Sequence, residues 1–137
     1  MPRLNRIVET ALYVDDLDRA AVFYEEKLGL SSMLRTRTLY AYDIGSQNVL
    51  LLFLRSASVE TQISERGSIP PHDGHGPLHI CFAVDAAELA GWEAQLGRHG
   101  VEIEGRMRWN RGGTSLYFRD PDDHLLEIMT PGNWPNY

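Results

Sequence analysis

The chain repeats itself. Glu9-Thr10-Ala11-Leu12-Tyr13-Val14-Asp15 is matched 70 positions later by His79-Ile80-Cys81-Phe82-Ala83-Val84-Asp85. Both are short β-prone runs ending in Val-Asp, and both lead into apolar residues at helical spacing. Leu17, Ala20, Tyr24 and Leu28 follow the first; Leu89, Trp92 and Leu96 follow the second. Gly29 and Gly100 stand where those helices stop, and Asp16 and Asp85 stand where they start, as N-caps. Strand-like segments follow each helix, at 32–36, 39–44 and 49–54, then at 101–106, 115–118 and 125–129. Each half therefore reads β-α-β-β-β. One helix covers one face of such a sheet and leaves the other to form a curved wall. The expected fold is α+β: two βαβββ modules forming a curved-sheet half-barrel cavity, with the helices outside.

Module 1 spans about 5–55 and module 2 about 78–131, with a long loop at 56–77. That loop region carries Gly67, Gly74, Gly76, Pro70, Pro71 and Pro77 without periodicity, which marks a lid, binding loop or linker. The two modules together are expected to act as one domain over 1–137. At 137 residues and 43% hydrophobic content the chain can bury a core without staples, and disorder is excluded.

Alternation along a strand selects the residues that face the cavity. Leu12, Val14, Phe82 and Val84 suit the helix-packed face. Glu9, Ala11 and Tyr13, and in the repeat His79, Cys81 and Ala83, suit the other, so Glu9 and His79 are equivalent positions. In the last strands Glu127 aligns with Leu51 at an offset of 76. Glu127 sits among Leu125, Leu126, Ile128 and Met129, where a carboxylate needs a partner. One imidazole and two carboxylates suit a divalent ion of the Mn, Fe, Co, Ni or Zn type, with open positions for water and substrate. The bland alternatives are a hydrogen-bonded structural His79, an exposed Glu9, and a Glu127 paired with Arg106, Arg108, Arg111 or Arg119.

Thirteen Lys and Arg against 19 Asp and Glu give a net charge of −6, which disfavours nucleic acid as a partner. The longest apolar run, Val49–Leu54, is far short of a membrane span. Cys81 is the one cysteine and forms no internal disulfide, and no signal-peptide stretch opens the chain, so a cytoplasmic location is expected. Cys81 reads as a small buried hydrophobe, and His99 and His124 as surface or turn residues.

Two stretches carry a family resemblance. Val14-Asp15-Asp16-Leu17-Asp18-Arg19-Ala20 runs into Phe23-Tyr24 and Leu28-Gly29-Leu30, and Leu116-Tyr117-Phe118-Arg119-Asp120-Pro121-Asp122-Asp123-His124-Leu125-Leu126-Glu127 closes the second half. With these the chain resembles the vicinal oxygen chelate superfamily, which includes glyoxalase I, extradiol dioxygenases, fosfomycin-resistance thiol transferases and bleomycin-binding proteins. Asp123 replaces the usual Gly of that pattern, and Asp tolerates the same turn conformation. The resemblance implies metal ligands at Glu9, His79 and Glu127. Glu9 departs from the common His or Gln, and its added charge favours Mn or Fe over Ni or Zn.

What the resemblance implies about chemistry is a divalent-metal enzyme on a small oxygenated substrate, of dioxygenase or lyase/isomerase type. Leu51 removes the fourth ligand of a typical glyoxalase I. Met107 and Arg108 in place of a lysine, and Ala11 in place of a threonine, disfavour a fosfomycin transferase. Glu127 and Tyr117 are the candidate catalytic groups, with Glu127 as base. Trp109, Arg111, His72 and Tyr13 are candidates for binding substrate, Arg111 through its planar fork. The rival reading is a metal-free module of the bleomycin-binding type that sequesters a small molecule. A homodimer is expected, because half-barrel sheets expose edges, and Glu9 is supplied either within one chain or from a second copy.

Overall fold

Both halves fold as four-stranded sheets with one helical segment each in the computed structural model, which describes residues 1–137. The chain divides into two units, Met1–Gly76 and Pro77–Tyr137. In the first, β1 (Glu9–Val14) leads into α1 (Leu17–Ala21), which runs on through wider π-type turns over Val22–Lys27. Three strands follow, β2 (Ser31–Arg35), β3 (Leu39–Gly45) and β4 (Asn48–Leu54), in the sheet order β1-β4-β3-β2. The strand β1 runs parallel to β4, and the remaining pairs are antiparallel.

The reasons are local. Asp16 accepts the Arg19 amide at 2.9 Å and starts α1, and Gly29 leaves the helical segment at φ +74°, a left-handed turn that costs glycine little. Leu12, Val14, Leu50 and Leu52 alternate onto the buried face, and Leu17, Ala20, Tyr24 and Leu28 are buried along the helix. Tyr40 and Tyr42 donate hydrogen bonds to Asp18 (2.7 Å) and Glu25 (3.0 Å) of the helical segment, and Arg35 pairs with Glu25. Burial pushes the Tyr42 hydroxyl far up, so it stays a donor.

In the second unit β7 (His79–Ala83) is followed by a 3₁₀ turn over Ala86–Glu88 and α2 (Leu89–Arg98). Then come β8 (Gly105–Arg108), β9 (Thr114–Arg119) and β10 (Leu125–Met129), in the order β7-β10-β9-β8. The order repeats that of the first unit strand for strand. Register makes the equivalence exact to the residue: Glu9 lies opposite Val49 and Ala11 opposite Leu51, while His79 lies opposite Leu125 and Cys81 opposite Glu127. Gly100 ends α2 at φ +67°, and Asp123 takes the left-handed turn at φ +65°.

Several expectations need correction. The strand read at 101–106 starts only at Gly105; Glu104 still donates its amide to the Tyr117 carbonyl, but Val101–Ile103 make no ladder. Asp85 precedes a 3₁₀ turn without a side-chain cap. The long loop contains a ribbon of its own, β5 (Gln62–Ser64) paired with β6 (Gly67–Ile69). His124 is fully buried instead of lying at the surface, and Cys81 is exposed instead of buried. No helix is long and apolar enough to cross a membrane.

Candidate metal centre

The parallel pairing of β7 with β10 puts His79 and Glu127 on one face of the second sheet. His79 Nδ1 lies 2.8 Å from the Leu125 carbonyl oxygen, which can only accept, so Nδ1 carries the proton. A neutral ring then presents a bare lone pair at Nε2, and Nε2 is 3.3 Å from Glu127 Oε2. Two lone pairs that close repel unless a cation, a proton or a metal ion, sits with them. A ligating histidine is normally oriented by such a carbonyl behind its other nitrogen.

Glu127 is 4% exposed, and its Oε1 is buried with no hydrogen-bond partner. A desolvated carboxylate oxygen left unpaired is costly, and arginine does not relieve it here. Arg119 is held by Glu104 at 2.9 and 3.0 Å, Arg106 pairs with Glu93, and Arg108 and Arg111 are exposed. The donor set, a backbone-oriented imidazole beside a buried carboxylate, fits a divalent ion. No group of three or more His, Cys, Asp or Glu side chains in the chain is placed to hold one, so the pair accounts for two of the three predicted ligands. Glu9, the third, is exposed on β1 of the first unit.

Two further groups border Glu127. Tyr117 lies opposite it on β9 and stacks on His79 with ring centroids 6.4 Å apart. Burial and then the Glu127 carboxylate raise the Tyr117 hydroxyl above its ordinary range. Partial desolvation by neighbouring side chains and the same carboxylate push the Cys81 thiol up to about 12, although the residue as a whole is exposed. Near neutral pH both are proton donors, and Cys81 is not a nucleophile.

The predicted substrate residues fall into two places. In the first unit Tyr13 Oη and His72 Nδ1 are hydrogen-bonded at 2.8 Å, and both line a concavity of about 1010 Å³ on the sheet face that also carries Glu9. Phe53, which the sequence reading passed over, stacks on Tyr13 (5.8 Å, 25°) and meets His72 edge-on (4.5 Å, 73°). Its signal was available, since Phe53 is the cross-strand neighbour of Tyr13. The loop bearing His72 is pinned by the Ser56 amide on Asp73 (2.9 Å) and by the close approach of Gly74 to the Tyr13 ring, where a Cβ would sit 2.6 Å from Cδ2. In the second unit Trp109 and Arg111 line a smaller hollow of about 290 Å³ with Arg108 and Asn133. Trp109 Nε1 also donates to the buried Ser115 hydroxyl at 2.8 Å, which anchors the β8–β9 turn. His75 Nδ1 lies 3.2 Å from the Gly76 carbonyl oxygen.

This architecture has relatives. The Glyoxalase/Bleomycin resistance protein/Dioxygenase superfamily model matches residues 6–128. The chain belongs to that superfamily. Within it, the metallothiol transferase FosB of Lysinibacillus sphaericus is 31% identical over 119 residues, 85% of this chain and 76% of the relative. FosB of Bacillus licheniformis is 28% identical over 118 residues, 85% of this chain and 70% of the relative. Among solved structures, a lactoylglutathione lyase from Agrobacterium tumefaciens superposes with a TM-score of 0.85 at 32% identity, covering 95% of this chain and 96% of that one. The superfamily thus joins transferase and lyase chemistry on one fold, and the site has to be read from its own residues.

Proposed function

We propose that the chain is a divalent-metal-dependent enzyme acting on a small oxygenated molecule, with Glu9, His79 and Glu127 holding the ion and dioxygenase- or lyase/isomerase-type chemistry at the site. The observation that carries this reading is the His79–Glu127 pair, with Nε2 3.3 Å from one oxygen of a carboxylate whose other oxygen is buried and unpaired. When bound, the ion supplies Lewis-acid polarisation of neighbouring substrate oxygens, and two carboxylates favour Mn or Fe. Tyr117 stays protonated and donates a hydrogen bond to a substrate oxygen. Glu127 serves as the base that receives the substrate's proton. Tyr13 and His72 hold the body of the substrate, and Arg111, beside Trp109, takes a carboxylate or phosphate substituent.

Thiol transfer is the second reading, favoured by the FosB relatives. Ala11, Met107 and Arg108 weigh against it, since they replace the threonine and lysine expected of that branch. Metal analysis of tag-free protein separates both from a metal-free binding module. Near one equivalent of Mn or Fe is expected, falling below a tenth in His79→Ala and Glu127→Ala. Substoichiometric metal unchanged in both variants would sink the proposal. Catechols, α-ketoaldehyde adducts and acyl-CoA thioesters, each with added Mn or Fe, are the substrates to screen first. Consumption of a thiol with an epoxide instead would establish transfer.

A further inference from the structure

The concave face of the first unit has a graded floor. Register sets three rows of side chains across it: Glu9, Val49 and Asp43, then Ala11, Leu51 and Ala41, then Tyr13, Phe53 and Leu39. The middle row is lowest at its β1 end, where Ala11 stands beside Leu51, with Ala41 and Leu34 beyond. The last row is tall and aromatic, and His72 is added to it from the loop. The result is a slot with a shallow floor, an aromatic wall at one end and a carboxylate at the other.

We infer that this face is a recognition subsite for a flat, uncharged two-ring aromatic group, seated over Ala11 beside Leu51 and against the wall of Tyr13, Phe53 and His72. The inference rests on the proposed function only for where the substrate's oxygens lie. Four residues separate Glu9 from Tyr13, so the rows at the two ends are about 13 Å apart at strand spacing. A single ring reaching the aromatic wall leaves its oxygens well short of Glu9, and two rings close most of that gap. The wall is built for rings: Tyr13 and Phe53 lie within 25° of parallel and His72 stands at 73° to Phe53, so an incoming ring continues an offset stack. Tyr13 and His72 satisfy each other at 2.8 Å, which leaves their ring surfaces, not their polar atoms, as the offered contact. Glu9 is the one Asp, Glu, Lys or Arg lining the concavity, so an anionic ring finds no partner there. A cation at the wall lies two rows from that carboxylate.

Titration of the full-length chain, stripped of metal with EDTA, against 2-naphthol and phenol tests the subsite alone, because one hydroxyl cannot chelate. Saturable binding of 2-naphthol is expected, about tenfold tighter than phenol for the extra ring buried. Ala11→Leu, which fills the floor, and His72→Ala, which removes part of the wall from a loop, should each weaken 2-naphthol at least about fivefold while the circular dichroism spectrum is unchanged. Equal affinity for the two probes, full affinity in both variants, or tighter binding of benzyltrimethylammonium would overturn the inference. So would absence of saturation together with a shift of oligomeric state in Ala11→Leu, which would assign the face to a second copy of the chain. Failure of the metal reading leaves this result untouched, since no metal is present.

Discussion

Glu127 is the least comfortable side chain in the molecule. It is almost fully buried, its Oε1 has no partner, and its Oε2 faces the free nitrogen of His79. On the proposed function such a group serves ion binding at the expense of the metal-free protein's stability, so Glu127→Gln should separate the two. The neutral amide keeps the shape while removing the buried charge. Metal affinity should fall by at least about a hundredfold, since losses of even outer-shell partners reach that range. The metal-free variant should unfold at higher urea than the metal-free parent, by about 1–2 kcal/mol. A Glu127→Gln protein that loses stability and keeps its metal would place the residue in the core instead. The neighbouring Cys81 offers a second check. Its thiol, held near 12, should alkylate at pH 8 at least about tenfold more slowly than one at the ordinary 9.0, despite its exposure. The folded state prefers the protonated thiol, so this contribution to stability is complete below pH 9 and is lost as pH rises toward 12. Strand alternation found Glu127 and His79 without a structure. It could not place His124, because burial there depends on the Leu78 amide, 46 residues away, which donates to His124 Nδ1 at 2.9 Å. His124→Ala should cost about 2–3 kcal/mol in urea unfolding by stranding that buried amide, with His124→Asn recovering part of it.

Elements were readable where a period or a cap marked them, and were lost where long-range contacts chose the conformation. Four strands and a helix per half follow from apolar spacing, and Asp16 and Gly29 bracket the first helical segment as their chemistry requires. Nothing in the spacing foretells that α1 widens into π-type turns, with the Leu28 amide reaching the Phe23 carbonyl. The same holds for the loop at 70–77, whose conformation is set by Tyr13, Ser56 and Ser58, all distant in sequence. Asp73 is the loop's ionic anchor. The Ser56 amide, more than any other contact, holds the Asp73 carboxyl below its ordinary 3.8. A carboxylate lowered on folding lends its stability above that ordinary value and withdraws it as pH falls through the lower folded value. The Ser56 amide resonance should therefore titrate with a midpoint below 3.8 and carry the Tyr13 ring resonances with it. In Asp73→Asn, whose amide oxygen still accepts but does not ionise, both should stay flat. A Ser56 shift unlinked from Tyr13 would mean that the loop and the aromatic wall move independently.

Duplication explains both the symmetry of the chain and its one functional asymmetry. The two sheets share a strand order, yet the position that holds Glu127 in one holds Leu51 in the other, so two modules yield three candidate ligands. Glu9 and His79 occupy equivalent edge strands, β1 and β7, each with its far side unpaired in its sheet, and β2 at the opposite edge is exposed along its whole length. Open edges of this kind invite pairing with another chain, and on the proposed ligand set Glu9 joins His79 and Glu127 either within one chain or across two copies. Mixing defective chains separates these two arrangements, with metal content as the readout. Glu9→Ala alone and His79→Ala alone should each be nearly metal-free. After denaturation together and refolding at equal amounts, half the dimers are mixed, and one of the two sites in each mixed dimer has all three ligands intact. Recovery of about a quarter of the parental metal is then expected for sites shared between symmetric partners. Sites completed within one chain give no recovery, because every chain in the mixture carries a defect. A mixture that stays metal-free while each variant remains dimeric therefore excludes sharing, and assigns Glu9 to the chain that bears it.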